Sequence, residues 1–289
     1  MKIHRILLSL VLSISLPLVV CIGAGEALSS PASRPIGEAP ADLHALPVAI
    51  KVSTDDLVSG WLLPGVKGNG AVLLLHGVRS DRRQMIERAR LLNRQGYAVL
   101  LIDLPAHGES TGKRITFGLR EATGVKAALG YLRQELPEER IGVIGVSLGA
   151  ASFMLSKAVP APNAVVLESM FPTITEAVTD RLTRQLGPAG DVLAPLLLWQ
   201  LPFRLGISAS DLRPIDEMPS LRAPVLIMSG TRDEHTTLAE SKRIFEAAHG
   251  PKEFWPVEGA AHVDLYMYSP KAYESKLLPF LAKYLPRGV

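Results

Sequence analysis

Short apolar runs recur along most of this chain, and segments with helical periodicity separate them. In residues 71–75 (Ala-Val-Leu-Leu-Leu) every position is apolar, so both faces of the corresponding strand would be buried. The other strand candidates are residues 48–52, 57–63, 97–102, 141–146, 164–167, 225–228 and 254–257. Because such strands alternate with helices, the sequence predicts an α/β fold with a mostly parallel central sheet and helices on both faces.

One long segment, residues 169–220, interrupts this alternation and is rich in leucine. It is too apolar for a disordered connection, and long ordered insertions of this kind are usually functional. We predict a helical cap here, inserted into a domain that covers residues 46–289. Ligands bind such sheets beyond the carboxyl ends of the strands, so Leu197 and Trp199 are expected to form an apolar wall over that edge.

The first 45 residues carry a different pattern. Lys2, His4 and Arg5 precede an apolar run over residues 6–24, which predicts a signal peptide or membrane anchor in residues 1–27. The protein is therefore expected to be exported: periplasmic, secreted or membrane-anchored. Cys21 lies where a lipoprotein signal would place its cysteine, although Val20 departs from that pattern, so lipidation is the less favoured alternative. Residues 28–45, rich in Ala, Ser and Pro, are predicted to be a linker.

The basic residues are dispersed. The formal net charge is only +3, and dispersed cations do not form the clustered basic face that nucleic acids require, so no nucleic-acid partner is predicted. The densest basic stretch, residues 79–94, shows helical periodicity and is predicted to be a solvated helix face. Cys21 is the only cysteine, so no intrachain disulfide can form.

Residues 145–149 (Gly-Val-Ser-Leu-Gly) follow the strand candidate 141–146 and precede a helical segment. This is the strand-to-helix setting that the G-x-S-x-G motif requires, since a sharp turn needs small residues on both sides of the serine. Ser147 is therefore the candidate nucleophile. The amino end of the following helix would favour developing negative charge.

A serine hydroxyl needs a neighbouring base, and His262 is the candidate because it follows the last strand and precedes the final helix. His76 and His107 lie in earlier loops and are predicted to be structural. The carboxylate that orients the histidine should lie between serine and histidine in the chain. Asp233, just after the strand candidate 225–228, is favoured for this role, and Glu168 is its rival.

Acyl transfer also requires hydrogen-bond donors for an oxyanion. The candidates are the backbone amides of Val78 and Leu148, one in the loop after the first central strand and one at the elbow. No clustered metal-ligand motif is visible, and the chemistry requires neither a metal nor an organic cofactor.

Together these motifs resemble the α/β-hydrolase family. The pair His76-Gly77, the loop of residues 103–110, the elbow, Asp233 and His262 occur in the family's order and approximate spacing, from residue 46 to the carboxyl end. The chain looks most like small esterases and peptidase-like hydrolases with a cap. Ala106 and Ala150 stand where that group usually has glycine, but neither departure removes a catalytic atom.

The resemblance implies a serine hydrolase that cleaves a carboxylic ester or related acyl bond through a Ser147-His262-Asp233 triad and an acyl-enzyme. The expected partner is a small acyl substrate with an apolar portion, and membrane attachment through the amino terminus is possible on the same pattern. The alternatives are a thioesterase or peptidase of the same fold, a haloperoxidase-like or lyase activity, and a non-catalytic envelope-anchored binding protein.

Overall fold

An eight-stranded sheet forms the middle layer of residues 19–286, the part of the chain that the computed structural model describes. The strands, including a separate short pair, are β1 (Ala32–Ser33), β2 (Leu46–Lys51), β3 (Leu57–Leu63), β4 (Ala71–Leu75), β5 (Ala98–Ile102), β6 (His107–Gly108), β7 (Ile141–Val146), β8 (Ala164–Glu168), β9 (Val225–Gly230) and β10 (Lys252–Val257). The sheet order is β10-β9-β8-β7-β4-β5-β3-β2. Only β3 is antiparallel to its neighbours, β2 and β5, so the predicted mostly parallel sheet is confirmed.

Helices cover both faces of this sheet, as predicted. They are α1 (Val19–Ser29), α2 (Ile86–Arg94), α3 (Glu121–Glu135), α4 (Leu148–Ser156), α5 (Ile174–Leu186), α6 (Ala189–Leu198), α7 (Leu201–Leu205), α8 (Leu238–Ala247), α9 (Leu265–Tyr268) and α10 (Pro270–Tyr284). One apolar core joins the sheet to α3, α4 and α8, and a second core joins its other face to α2 and α10. The strands are apolar on both faces because each face meets one of these cores.

The segment between β8 and β9 contains α5, α6, α7 and two 3₁₀ helices, Ala209–Asp211 and Pro214–Ser220. Its apolar side chains include Ile174, Leu201 and Leu212, which pack with Leu155 of α4. Within residues 19–286 no single helix is long and apolar enough to cross a bilayer, although the bent pair Ala189–Leu205 and Ala209–Ser220, whose halves meet at 86°, has the necessary length and composition.

The amino-terminal segment differs from the expected unpacked linker. Residues 1–18, with most of the predicted signal or anchor, lie outside the described residues, whereas residues 19–29 form α1. β1 pairs in parallel with β6, and Leu43 is buried in the core beside α2. Residues 28–45 therefore contact the domain, because backbone pairing and a few apolar side chains suffice to hold a segment that is poor in apolar residues.

The basic stretch of residues 79–94 also differs from the expected solvated face. Arg82 is buried and forms ion pairs with Asp103, at 2.8 Å, and with Glu109. Arg88 is buried as well and is paired with Glu168 at 2.7 Å. Two positions of the predicted polar face therefore bind carboxylates inside the protein, since a buried guanidinium requires charged partners.

Candidate active site

A strained turn joins β7 to α4 at Ser147. Its φ of 50° and ψ of −109° lie in a region that residues other than glycine rarely adopt. A Cβ atom at Gly145 would lie 2.6 Å from the Ala150 nitrogen, and one at Gly149 would lie 2.5 Å from the Leu75 oxygen. Both glycines are therefore required for the close approach of the backbone, as expected for the elbow that presents a nucleophile at the end of a strand.

The loops after β9 and β10 bring Asp233 and His262 together. The Nδ1 atom of His262 lies 2.8 Å from Oδ2 of Asp233. The other carboxylate oxygen accepts the backbone N–H groups of His235 and Thr236, each at 2.9 Å. This arrangement fixes the direction of the carboxylate and leaves Nε2 of His262 free of Asp233.

Electrostatics favour the ionised form of Asp233. Burial alone would raise the pKa of its carboxyl group, but the hydrogen bond and charge of His262, together with the two backbone N–H donors, lower the pKa below its ordinary value. An ionised carboxylate can only accept, so the proton of the pair lies on Nδ1 of His262. Nε2 is then the acceptor of the neutral ring.

Glu168, the rival carboxylate, lies at the end of β8 but is bound elsewhere. Its two oxygens accept hydrogen bonds from Nε and Nη2 of Arg88 at 3.1 and 2.7 Å, and the Tyr273 hydroxyl donates to one of them. The site geometry therefore favours Asp233 as the partner of His262.

The two residues predicted to supply the oxyanion donors lie at the cavity. Val78 and Leu148 line the same cavity as Ser147 and His262. Leu148 is the first residue of α4, so its amide has no carbonyl partner within the helix and can donate to a bound oxygen.

His76 shapes the loop that carries Val78. Its Nε2 accepts the Leu104 N–H at 2.9 Å, so Nδ1 carries the proton and donates to the Gly77 carbonyl at 2.7 Å. Complete burial, with a smaller effect of the neighbouring His107, lowers the pKa of His76 to about 3. His76 is thus a neutral structural residue, as its position in the sequence predicted.

An apolar cavity of about 420 Å³ lies over Ser147, within the usual range for small-molecule sites. The cap contributes aliphatic side chains to its walls: Ile174, Val178, Leu182, Leu197, Leu198, Leu201 and Leu205. Leu197 lines the cavity as expected. Trp199 does not, because it lies on the outer side of the cap and is 60% exposed.

Sequence reasoning missed two contributions to the cavity. His235 lines it, and its ring centroid is 5.3 Å from that of His262. The sequence contained a signal for this histidine, since His235 follows Asp233 by two residues in the same loop. The second contribution comes from α1, whose Ala24, Gly25 and Leu28 also line the cavity.

Comparisons with known proteins identify the family of this chain. The sequence matches the alpha/beta hydrolase family over residues 72–275. An uncharacterized protein of Mycobacterium tuberculosis is 31% identical over 236 residues, which cover 79% of this chain and 77% of that protein. An uncharacterized protein of Bacillus subtilis is 23% identical over 214 residues, covering 73% and 70%.

Solved structures extend the comparison. An esterase of Pyrococcus furiosus superposes with a TM-score of 0.73 at 26% identity and covers 89% of this chain and 98% of its own. A dienelactone hydrolase of Anabaena variabilis shares the fold, with a TM-score of 0.61 at 20% identity over 83% and 98% of the two chains. With a family match over residues 72–275 and an esterase among its structural neighbours, this chain belongs to the alpha/beta hydrolase family.

Proposed function

We propose that this hydrolase is a serine hydrolase that cleaves a carboxylic ester or a related acyl bond. The observation that carries the proposal is the hydrogen bond to Asp233 from His262, which lines the same cavity as Ser147. The similarity to the esterase of Pyrococcus furiosus adds support.

In the proposed mechanism Ser147 attacks the acyl carbon while Nε2 of His262 takes the hydroxyl proton. Asp233 keeps the imidazole in the required tautomer and stabilises the imidazolium. The amides of Val78 and Leu148 donate to the oxyanion as negative charge develops on it. His262 returns the proton to the leaving group, and a water activated by His262 then hydrolyses the acyl-enzyme and regenerates Ser147.

The cavity favours a substrate with an aliphatic acyl chain. Its cap side consists largely of leucine, isoleucine and valine side chains, which offer few partners for the amide groups of a peptide. This supports an ester or thioester over a peptide bond.

A fluorophosphonate probe tests the proposal directly. We expect the purified protein to be labelled at Ser147, labelling to vanish in Ser147→Ala, and labelling to fall steeply in His262→Ala. Ser156→Ala, in the same helix region but buried and bonded to the Phe153 carbonyl, is the matched control and should label normally. Labelling of another residue with Ser147 unmodified would disprove the serine mechanism.

The amino-terminal pattern supports export with the segment retained as an anchor. Gln200 donates to the Cys21 carbonyl at 2.9 Å, and Gly25 and Leu28 of α1 line the cavity. Cleavage near Ala27 would remove part of this wall. Fractionation with amino-terminal sequencing tests the proposal, and a cytoplasmic protein that is free of membrane would contradict it.

A further inference from the structure

The outer side of the cap carries an apolar stripe. Val192, Leu196, Trp199 and Phe203 follow one another at intervals of three or four residues along α6 and α7, so they share one helical face. Phe203 is 76% exposed and Val192 is 71% exposed, and the rings of Trp199 and Phe203 are 5.0 Å apart. The sequence has no charged residue from position 192 to position 203.

The inner side of the same helices is also apolar, because Leu197, Leu198 and Leu201 line the cavity over Ser147. A helix that is apolar all round is normally enclosed by protein or lipid. Within residues 19–286, however, no other part of the chain buries these side chains, since Trp199 is 60% exposed and Phe203 is 76% exposed. The apolar outer stripe therefore points to a binding surface.

Helix α1 extends this surface. It contacts the junction of α6 and α7, where Gln200 donates to the Cys21 carbonyl at 2.9 Å, and it contacts α7, where Arg204 donates to the Ile22 carbonyl at 3.0 Å. Its side chains Val20 and Ile22 are exposed. We name the six residues Val20, Ile22, Val192, Leu196, Trp199 and Phe203 the cap face.

The chain that precedes the cap face is itself apolar. Residues 6–18 contain no charged side chain and continue directly into Val19, the first residue of α1. A segment of this composition partitions into lipid, and the first described residue after it, Val19, directly precedes Val20 of the cap face. If the segment enters a bilayer, the cap face is brought to the surface of that bilayer.

We infer that the cap face rests on a phospholipid bilayer, which receives its aromatic and aliphatic side chains at the level of the headgroups. Exposed aromatic and aliphatic side chains bind at the membrane–water interface, and tryptophan is enriched there. A second copy of the chain would also cover an apolar stripe, but it would not explain why the stripe lies next to α1, which directly follows the apolar run that the proposed function retains as a membrane anchor. Lipid accounts for both features.

This docking also indicates a substrate class for the proposed serine hydrolase. That part of the inference rests on the proposed function. α6 separates the cap face from the cavity, and α1 borders both. A long-chain acyl substrate dissolved in the bilayer would then need to pass only the edge of α1 and α6 to reach Ser147. The substrate class that we assign is therefore a membrane-dissolved long-chain acyl ester or thioester.

Quenching of Trp199 by brominated lipid tests the docking. The full chain is mixed with phosphatidylcholine and phosphatidylglycerol vesicles that contain dibrominated phosphatidylcholine, and Trp199→Phe is the matched control. Trp61 is buried and Trp255 is partly buried, and both are present in the two proteins, so the difference between the proteins isolates the emission of Trp199. We expect wild-type emission to shift to shorter wavelength and to be quenched, and both changes to be lost in Trp199→Phe, which still sediments with vesicles.

Two results would overturn the docking. In the first, wild type sediments with vesicles but is quenched no more than Trp199→Phe, so the amino-terminal run alone binds lipid. In the second, Trp199 becomes protected only as a dimer forms in the absence of vesicles, which identifies a second copy as the occupant.

Activity measurements distinguish a failure of the docking from a failure of the proposed function. In Trp199→Ser/Phe203→Ser we expect vesicle affinity and turnover of a vesicle-embedded dodecanoyl ester to fall by about tenfold, whereas a soluble butanoyl ester is unaffected. Val159→Ser, an exposed apolar position outside the cap, should change neither. Equal loss on both esters would overturn the access route. Absence of any Ser147-dependent turnover would refute the proposed function while leaving the quenching result intact.

Discussion

The ends of the neighbouring strands β8 and β9 carry two carboxylates in very different surroundings. Glu168 ends β8 in a fully buried group with Arg88 and Tyr273, which occupy both of its oxygens. Asp233 follows β9 and directs one oxygen to His262 while backbone N–H groups hold the other. The role of a carboxylate at this edge of the sheet therefore depends on the groups that donate hydrogen bonds to it, and not on its position alone.

The two groups are nevertheless connected. Nη1 of Arg88 donates to Oδ2 of Asp264 at 2.8 Å, and the other oxygen of Asp264 caps the start of α9 through the Tyr266 and Met267 amides. Asp264 lies two residues after His262. The buried group at the end of β8 thus braces the loop that places His262 against Asp233.

The largest expected effect comes from replacing Asp233. In Asp233→Asn the hydrogen-bonding shape is retained, but the amide cannot stabilise the imidazolium and favours the wrong tautomer, so we expect turnover to fall by roughly 10⁴-fold with the fold intact. Steady-state kinetics on a soluble ester, with circular dichroism as the folding check, measure it.

Glu168→Gln is the matched comparison for that variant. It should unfold more readily yet keep far more turnover in its folded fraction than Asp233→Asn. If instead Asp233→Asn has turnover near that of wild type and Glu168→Gln has lost it, Glu168 and not Asp233 is the partner of His262.

The second effect concerns Arg88. In Arg88→Met the buried carboxylate of Glu168 loses its charged partner, so we expect the free energy of unfolding to fall by about 3–5 kcal/mol. Urea denaturation measures this loss. Arg90 lies on the same helix as Arg88, and Arg90→Met removes more exposed ion pairs with Asp42 and Glu87, so it should cost far less. Equal losses in the two variants would show that the buried group does not stabilise the β8 end.

The sequence predicted the sheet and much of the site because both depend on local patterns. Continuous apolar runs require burial on two faces, and the glycines around Ser147 are needed by the turn itself. Arg88 could not be predicted in this way, since its partners Glu168 and Tyr273 are 80 and 185 residues away in the chain. The docking of α1 depends likewise on remote polar contacts with Gln200 and Arg204, which leave no periodic signal.

The smallest expected effect concerns Asp180, a carboxylate whose neighbours are other carboxylates. Asp180 of the cap helix α5 interacts with Glu240 of α8 and lies near Asp233 after β9. Within residues 19–286 its Oδ2 atom is buried with no hydrogen-bond partner, whereas Arg88 binds both oxygens of Glu168. Burial, with the charges of Glu240 and Glu176, raises the pKa of Asp180 to about 7 from an ordinary value of 3.8.

The raised pKa of Asp180 fixes the sign of a pH effect on stability. Because the folded state binds this proton more tightly than the unfolded state, the contribution of Asp180 to stability falls as the pH rises from about 4 to about 7. Asp180→Asn removes the penalty of ionising the group, so its Tm should exceed that of wild type at pH 8, and the difference should shrink at pH 5. Thermal unfolding at the two pH values measures it, with the exposed Asp55→Asn as control. A Tm difference that is the same at both pH values, or negative at pH 8, would show that Asp180 is ionised without penalty and that the two strand ends do not differ in this respect.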